Sequence, residues 1–531
     1  MDLKAICPLT TTEALRRAVA IAPDVEALVT SDGRLTYAEL DRDVAAIAAA
    51  LAAQGVRRGD HVGLCLGNSH RWVAIFLGIA SLGAITVPVN TRFVGPEMAY
   101  ALAQSRVGTL IMADRFLKTD FIAMLRGICP GIDKALPDAA LPDLRRVIVI
   151  GEDVPAAALS WQGFLASTTG PAEPACEAED VLLIQYTSGT TSFPKGVMLR
   201  HRNMLANGFF SGGRMGLRIG DRFHSARPFF HVAGTSLSIL AAIQHVVTLV
   251  SMDRFEPGEA LRLMELERCT HFSGNDTMAL MLLNHPDRPR RRLRLRGGWL
   301  AASPSILRRV INELDAYECV AGYGLSEASP NVAQSCWWEP DEVRAAALMR
   351  PQPGVEISIR REGLDCPIGE PGEIFVRGWN VMKGYFDKPK ETAEALDAED
   401  WLSTGDLGQL DPEGRLIFLG RAKDIVRVGG ENVAPADVEN VLHGHPQIKQ
   451  AAVIGVPDSR LVEVIAAFVT LKQDSSCEPA EIIDWSKARL AGFKVPRHVW
   501  IVEDFETLGM TASAKIQKKP LAEHAKHLLG L

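Results

Sequence analysis

Residues 186–203 read YTSGTTSFPKGVMLRHRN, and this stretch governs how the rest of the chain is understood. An apolar segment, Val181 to Tyr186, has the composition of a buried strand and runs straight into it. The strand empties into a loop of hydroxyls and glycines: Thr187, Ser188, Gly189, Thr190 and Thr191, then Pro194, Lys195 and Gly196. Glycine lets backbone N–H groups approach an anion closely, and Ser and Thr add donors beside them. One lysine supplies compensating charge. Such a loop suits a polyphosphate. It is not the Walker pattern, because Lys195 is followed by Gly196 and the glycine spacing differs.

The bulk numbers bound the class. A chain of 531 residues exceeds one core and fits two domains. Hydrophobic content of 47% with 23% charged residues describes a globular protein with ample material for a core. Net charge of −7 offers no global basic field, so nucleic acid and anionic lipid are not expected partners. One basic cluster, Arg288 to Arg296, reads first as a solvated face and second as a docking patch for a nucleotide-bearing substrate. Nine cysteines are scattered without a CxxC pair, which fits a reducing compartment and points to no zinc site. No secretory signal is visible at the N-terminus, and a cytoplasmic location is expected. Two uncharged stretches, 72–89 and 232–252, approach membrane-span length. Glycines and Pro88 break the first, and Gln244 with His245 makes the second expensive in lipid, so no span is expected.

Strands alternate with helical segments over the first two thirds, which predicts layered α/β architecture. Thr36-Tyr37-Ala38-Glu39 is a capping box opening an Ala-rich helix that ends near Gly55, and a second helix is expected from Ser69 to Leu82. From Pro367 the texture turns to glycine-punctuated short strands, a β-rich subdomain. After Arg421 it changes again: a helix from Pro435, two strands, a helix from Pro479 and a basic tail. This predicts a large N-terminal domain over 1–420 and a small α+β domain over 421–531.

Four further clusters carry polar chemistry. His231 sits in PFFHVAG, where a lone histidine reads by itself as a core residue. Gly322-Tyr323-Gly324-Leu325-Ser326-Glu327 sets a flat ring between two glycines, suited to adenine, and offers Glu327 as a hard oxygen ligand for Mg²⁺. Asp406 lies on a glycine-flanked turn, STGDLG, with Arg421 fifteen residues on. Near the C-terminus, Thr511 to Lys519 reads TASAKIQKK.

Taken in order, these clusters resemble the acyl-adenylate-forming superfamily, over roughly residues 30 to 520, and its acyl-CoA synthetase branch in particular. The resemblance implies roles. Thr187 to Lys195 would cradle the phosphates of ATP, with Thr190 and Glu327 at Mg²⁺. His231 would close the acyl pocket near the substrate carboxylate. Gly322, Tyr323, Gly324, Ser326 and Ser303 would meet the nucleotide. Asp406 would accept hydrogen bonds from the ribose hydroxyls, and Arg421 would sit at ribose and phosphate. Lys423 falls at the interdomain hinge. Gly429, Gly430 and Asn432 would flank the pantetheine arm of coenzyme A, and Lys515 would bridge carboxylate and α-phosphate. Ala514 departs from the glycine usual in the family, and alanine does not take positive φ cheaply.

The expected activity is therefore an ATP-dependent acid:CoA ligase. It would form acyl-AMP and pyrophosphate first, then the thioester after the small domain swings. The pocket candidates carry no evident charge, which favours an apolar acid: medium-chain fatty, alicyclic or aromatic. Two alternatives stand beside this: an acyl-AMP ligase loading the phosphopantetheine of a carrier protein, and an inactive ATP-binding relative.

Overall fold

In the computed structural model, which describes every residue except 169, 188–193, 429–430, 459, 512–513 and 531, Val181–Thr187 lies third from one edge of an eight-stranded sheet. All but its last residue are buried, as a run of apolar residues demands. It pairs in parallel with Ile85–Pro88 and antiparallel with Lys195–Arg200. His61–Cys65, Thr109–Ala113 and Arg146–Ile150 continue the sheet in parallel.

A second sheet has nine strands. Glu26–Thr30, Thr248–Val250, Arg222–Ser225, His271–Asn275, Gly297–Ala301 and Glu318–Gly324 run parallel at its centre. Antiparallel strands close both edges. Helices fill the space between and around the sheets. Tyr37–Ala53 starts at the expected capping box, with both reciprocal hydrogen bonds formed; such a cap contributes about 1 kcal/mol. Its Ala-rich face buries Leu40, Val44, Ile47 and Leu51, and Ile47 packs where Gly78 of the helix His70–Ser81 lacks a side chain. Ser69 caps that second helix, as its position in the sequence implies.

The two long apolar stretches are core. The first is the buried helix His70–Ser81 followed by Ile85–Pro88. The second is a helical segment whose middle, Thr235–Leu240, is a π-turn with every residue buried. Gln244 Nε2 donates to the carbonyls of Pro8 and Leu205, and His245 Nε2 meets the Phe209 carbonyl at 2.8 Å, so both side chains find partners inside protein, although Gln244 Oε1 has none among the described residues. No helix among the described residues is long and apolar enough to cross a membrane.

The β-rich region is a five-stranded antiparallel sheet that begins at Val355–Arg361, upstream of the expected Pro367. That first strand lacks the glycines by which its neighbours announce themselves. The sheet ends at Arg421, and Ala422–Asp424 forms a single 3₁₀ turn before Val426–Val428 opens a separate sheet. In this last sheet Ile448–Asp458 and Val462–Leu471 form a long antiparallel pair, with His498–Ile501 alongside in parallel. Pro435–His443 and Pro479–Lys487 pack on one face and Lys518–Leu529 on the other.

Candidate active site

The carboxyl ends of the central parallel strands finish side by side. Ser225 is level with Ser273, Asn275 with Ala301, and Leu300 with Ala321. Ligands of open α/β sheets bind beyond such ends. Gly322 and Gly324 occupy the last strand there, and both are glycine for steric reasons. A Cβ at Gly322 would fall inside the Trp299 indole, and one at Gly324 would meet the Pro330 carbonyl.

Tyr323, between them, points at Asp406: its hydroxyl donates to Oδ2 at 2.8 Å. Its ring stacks on Phe418 at 5.1 Å and is only 6% exposed, so one ring face is already covered by protein. Asp406 and Arg421 are paired across an antiparallel hairpin, which is how residues fifteen apart come within 3.7 Å. Burial pushes the Asp406 carboxyl above its usual range, while the Tyr323 hydrogen bond and the positive Arg421 and Lys515 pull it back. Ser303 caps the helix Pro304–Glu313, and its N–H donates to Asp276 at 2.8 Å. Burial lifts Asp276 to about 7.

Thr187 and Lys195 face each other at the base of an antiparallel hairpin. The tip residues Ser188, Gly189, Thr190 and Thr191 lie outside the described residues. Lys195 Nζ stands over the Tyr385 ring, 4.7 Å from its centre. The Tyr385 hydroxyl in turn donates to Glu327 Oε1 at 3.0 Å. Ser326 opens the short turn that carries Glu327. Among the described residues Glu327 has no Lys or Arg partner, and a carboxylate held by one neutral donor keeps lone pairs for a hard cation. A single such ligand suits Mg²⁺, which retains waters and bridges to substrate phosphates.

His231 is accessible to solvent, yet the protein around it is dense enough that burial, with Arg227 and Lys515 nearby, pushes it down to about 4. At neutral pH the imidazole is therefore uncharged. Its Nδ1 accepts the Ala233 N–H at 3.2 Å, so the proton resides on Nε2, free to donate. Lys515 shows the same combination of access and enclosure. Burial and the positive Arg421 bring it down to about 8, against the opposing pull of Asp406 and Asp424.

The segment bearing Lys515 is a tight loop. The Thr511 N–H donates to the Lys515 carbonyl at 2.9 Å, and Ala514 at its tip takes φ +55°. Ala514 is nevertheless buried and packs with the core of the large region. Arg92 donates to the Met510 carbonyl, Asn440 accepts from the Ser305 N–H at 3.1 Å, and Asn284 donates to the Lys449 carbonyl. These contacts hold the small domain against the large one. Gly429 and Gly430 lie outside the described residues. Asn432 is exposed on the strand Glu431–Val433, and the flanking Val428 and Glu431 line a hollow of about 310 Å³.

Sequence reasoning missed Tyr385, Asp276, Arg227 and Trp299. Tyr385 sits on a two-residue strand against the Lys195 strand, a neighbour relation with no local signature. Two members of the arginine cluster are in ion pairs, Arg291 with Glu265 and Asp287 and Arg296 with Asp221 and Glu318, while Arg290, Arg292 and Arg294 are exposed.

Comparison with known proteins agrees with this geometry. The family description AMP-binding enzyme matches residues 15–386, and the AMP-binding enzyme C-terminal domain matches 437–515. The chain is 36% identical to the 3-[(3aS,4S,7aS)-7a-methyl-1,5-dioxo-octahydro-1H-inden-4-yl]propanoyl:CoA ligase of Rhodococcus jostii (strain RHA1), covering 98% of this chain and 99% of that one. It is 33% identical to the mitochondrial medium-chain acyl-CoA ligase ACSF2 of Bos taurus, covering 96% and 86%. Its structure matches the anthranilate CoA ligase AuaEII in complex with anthranoyl-AMP with a TM-score of 0.89, at 26% identity over the whole of both chains. The chain belongs to the AMP-binding enzyme family, and it is an AMP-forming acid–thiol ligase.

Proposed function

We propose that this ATP-dependent acid:CoA ligase works on an acid with a largely apolar body, alicyclic, aromatic or medium-chain, and that its site residues divide the labour between adenylation and thioester formation. The relatives named for medium-chain, alicyclic and aromatic acids support the substrate class. One observation carries the division of labour: Lys515, brought in by the small domain, lies in the field of Asp406 and Arg421, and its own field reaches His231.

Asp406, fixed by Tyr323, holds the ribose. Lys195 and the hairpin above it hold the phosphates. Glu327, oriented by Tyr385, with Thr190 would hold Mg²⁺, which when bound neutralises developing charge on the phosphates. Lys515 bridges the acid carboxylate and the α-phosphate, so that the carboxylate oxygen attacks phosphorus in line and pyrophosphate leaves. Positioning and charge neutralisation supply the rate, and no protein nucleophile is needed. Neutral His231 presents Nε2–H to the carboxylate without neutralising its nucleophilic oxygen. Thioester formation then requires Lys515 to withdraw. We place the hinge at Lys423, on the 3₁₀ turn between two sheets, and the pantetheine path at Gly429, Gly430 and Asn432. The nine unpaired cysteines support a reducing, cytoplasmic setting.

Replacing Lys515 by Ala tests this. ATP–pyrophosphate exchange should fall by at least 10²-fold, while thioester formation from supplied acyl-AMP stays within a few fold. Equal loss in both half-reactions would refute the assignment.

A further inference from the structure

Arg227 is an arginine whose charge the protein leaves unanswered. The other enclosed arginines are compensated: Arg222 by Glu26 and Glu267, Arg296 by Asp221 and Glu318, Arg344 by Asp341. Arg214 has no carboxylate in ion-pair contact, but three backbone carbonyls, of Gln334, Arg350 and Pro351, accept from it. Arg227 has two acceptors, Ser273 Oγ from Nε at 2.7 Å and the Gly274 carbonyl from Nη2 at 2.5 Å. No acidic side chain pairs with it among the described residues. A guanidinium carries five N–H donors, so three of them, including both on Nη1, have no acceptor among the described residues.

Its position is set by the fold. Arg227 lies two residues past the strand Arg222–Ser225, on the same face as Ser225, and Ser225 is level with Ser273 on the next strand. Its guanidinium lies over the Trp299 indole, 4.4 Å from the ring centre. The same indole rests on the bare Cα of Gly322. Trp299 Nε1 is buried and also lacks an acceptor among the described residues. Arg227 is half-buried by accessibility, yet desolvation depresses it to about 9. His231 stands four residues on, at the same end of the sheet. His231 feels both Arg227 and Lys515, whereas burial alone acts on Arg227.

We infer that Arg227 is a specificity-determining residue: it receives an acceptor oxygen, a carboxylate or an oxo group, that the acid substrate carries in addition to the carboxyl that is activated. This rests on the acid-activation reading above and refines it. An enclosed unpaired cation is costly, and a site built with unanswered donors rejects analogues lacking the matching acceptor far more strongly than an apolar wall rejects a missing methylene. Ser273 and Gly274 fix the fork's orientation, and the Trp299 face keeps it flat. The remaining donors are thus held in one orientation.

The test is ATP–pyrophosphate exchange by the full-length protein, without CoA, using straight-chain acids of four to twelve carbons. Each plain acid is compared with its penultimate-oxo and its ω-carboxy counterpart. Wild-type protein should favour one oxygen-bearing series by at least 30-fold in kcat/KM, and which series wins separates oxo from carboxylate. In Arg227→Met that preference should collapse by at least 30-fold, with Arg227→Lys in between. A thermal-shift titration of wild-type protein with the same acids gives a second reading that needs no variant. A preference for plain acids in wild type would overturn the inference, as would equal loss on both series in Arg227→Met. If no acid supports exchange, the acid-activation reading itself fails and takes this inference with it.

Discussion

The Tyr323 hydroxyl donates to Asp406 Oδ2 at 2.8 Å, tying the glycine-flanked strand end to the hairpin that carries Arg421. Burial already pushes the Asp406 carboxyl up, so this donor keeps it charged and aimed. Tyr323→Phe removes the hydroxyl and leaves an enclosed carboxylate oxygen unsatisfied, which costs about 1.5–3 kcal/mol for a hydrogen bond to a charged group. ATP affinity measured by calorimetry should weaken about tenfold or more. Unchanged affinity would show that Asp406 does not depend on Tyr323.

Lys515 is held down to about 8 by burial and Arg421. Only its protonated form bridges two anions. Adenylation by the free enzyme, read as kcat/KM for ATP–pyrophosphate exchange, should decline as pH rises through about 8, well before an ordinary lysine would titrate. Exchange that stays level to pH 10 would remove Lys515 from that role.

Ala514 holds φ +55°, a left-handed conformation that costs a residue with a Cβ roughly 1–2 kcal/mol. Ala514→Gly should relieve this strain in the docked loop and raise the exchange rate by about two- to fivefold. Its global stability should shift by less than about 1 kcal/mol, because glycine loses more chain entropy on folding. Stopped-flow pyrophosphate release and denaturant titration check the two halves. A slower variant would mean that packing of the Cβ matters more than the backbone angle.

Tyr385 links Lys195, through its ring, to Glu327, through its hydroxyl. Tyr385→Phe keeps the ring under Lys195 and frees Glu327. The Mg²⁺ concentration giving half-maximal rate at saturating ATP should rise several fold, with KM for the acid unchanged. A matching rise in acid KM would point instead to general collapse of the pocket.

Asp276 stands at about 7 because it is enclosed, with Glu439 of the small domain adding to the effect. Its folded value lies above the unfolded one near 3.8, so the folded state binds the extra proton. Its stabilising effect is present in full below about pH 4 and is lost as pH rises through about 7. Asp276→Asn retains an acceptor for the Ser303 N–H. The Tm of this variant relative to wild type should therefore be higher at pH 8 than at pH 5. The opposite ordering would show that the carboxylate is stabilised where it lies.

The sequence carried those parts whose signal is local. Thr36 with Glu39, Ser69, and the apolar run 181–187 each declare a cap or a strand within a few residues, and each formed. The order of the polar motifs was also legible, and the hairpin register explains why Asp406 meets Arg421. Trp299, Arg227 and Tyr385 were not. What matters for each is which strand ends lie side by side, and Ser273 and Arg227 are forty-six residues apart in the chain. An arginine before proline reads as a surface turn until a tryptophan on another strand is found beneath it.

Lys515 arrives at the interface beside Arg421, with Lys518 adding to the repulsion it meets. Seating the small domain therefore brings like charges together, offset in part by Asp406 and Asp424. On the reading proposed above, the phosphates of ATP would supply the missing negative charge. The departure of pyrophosphate would then remove much of that balance, and the repulsion left among the cations would favour withdrawal of Lys515. The loss of the first product would in that way keep the two chemical steps in sequence.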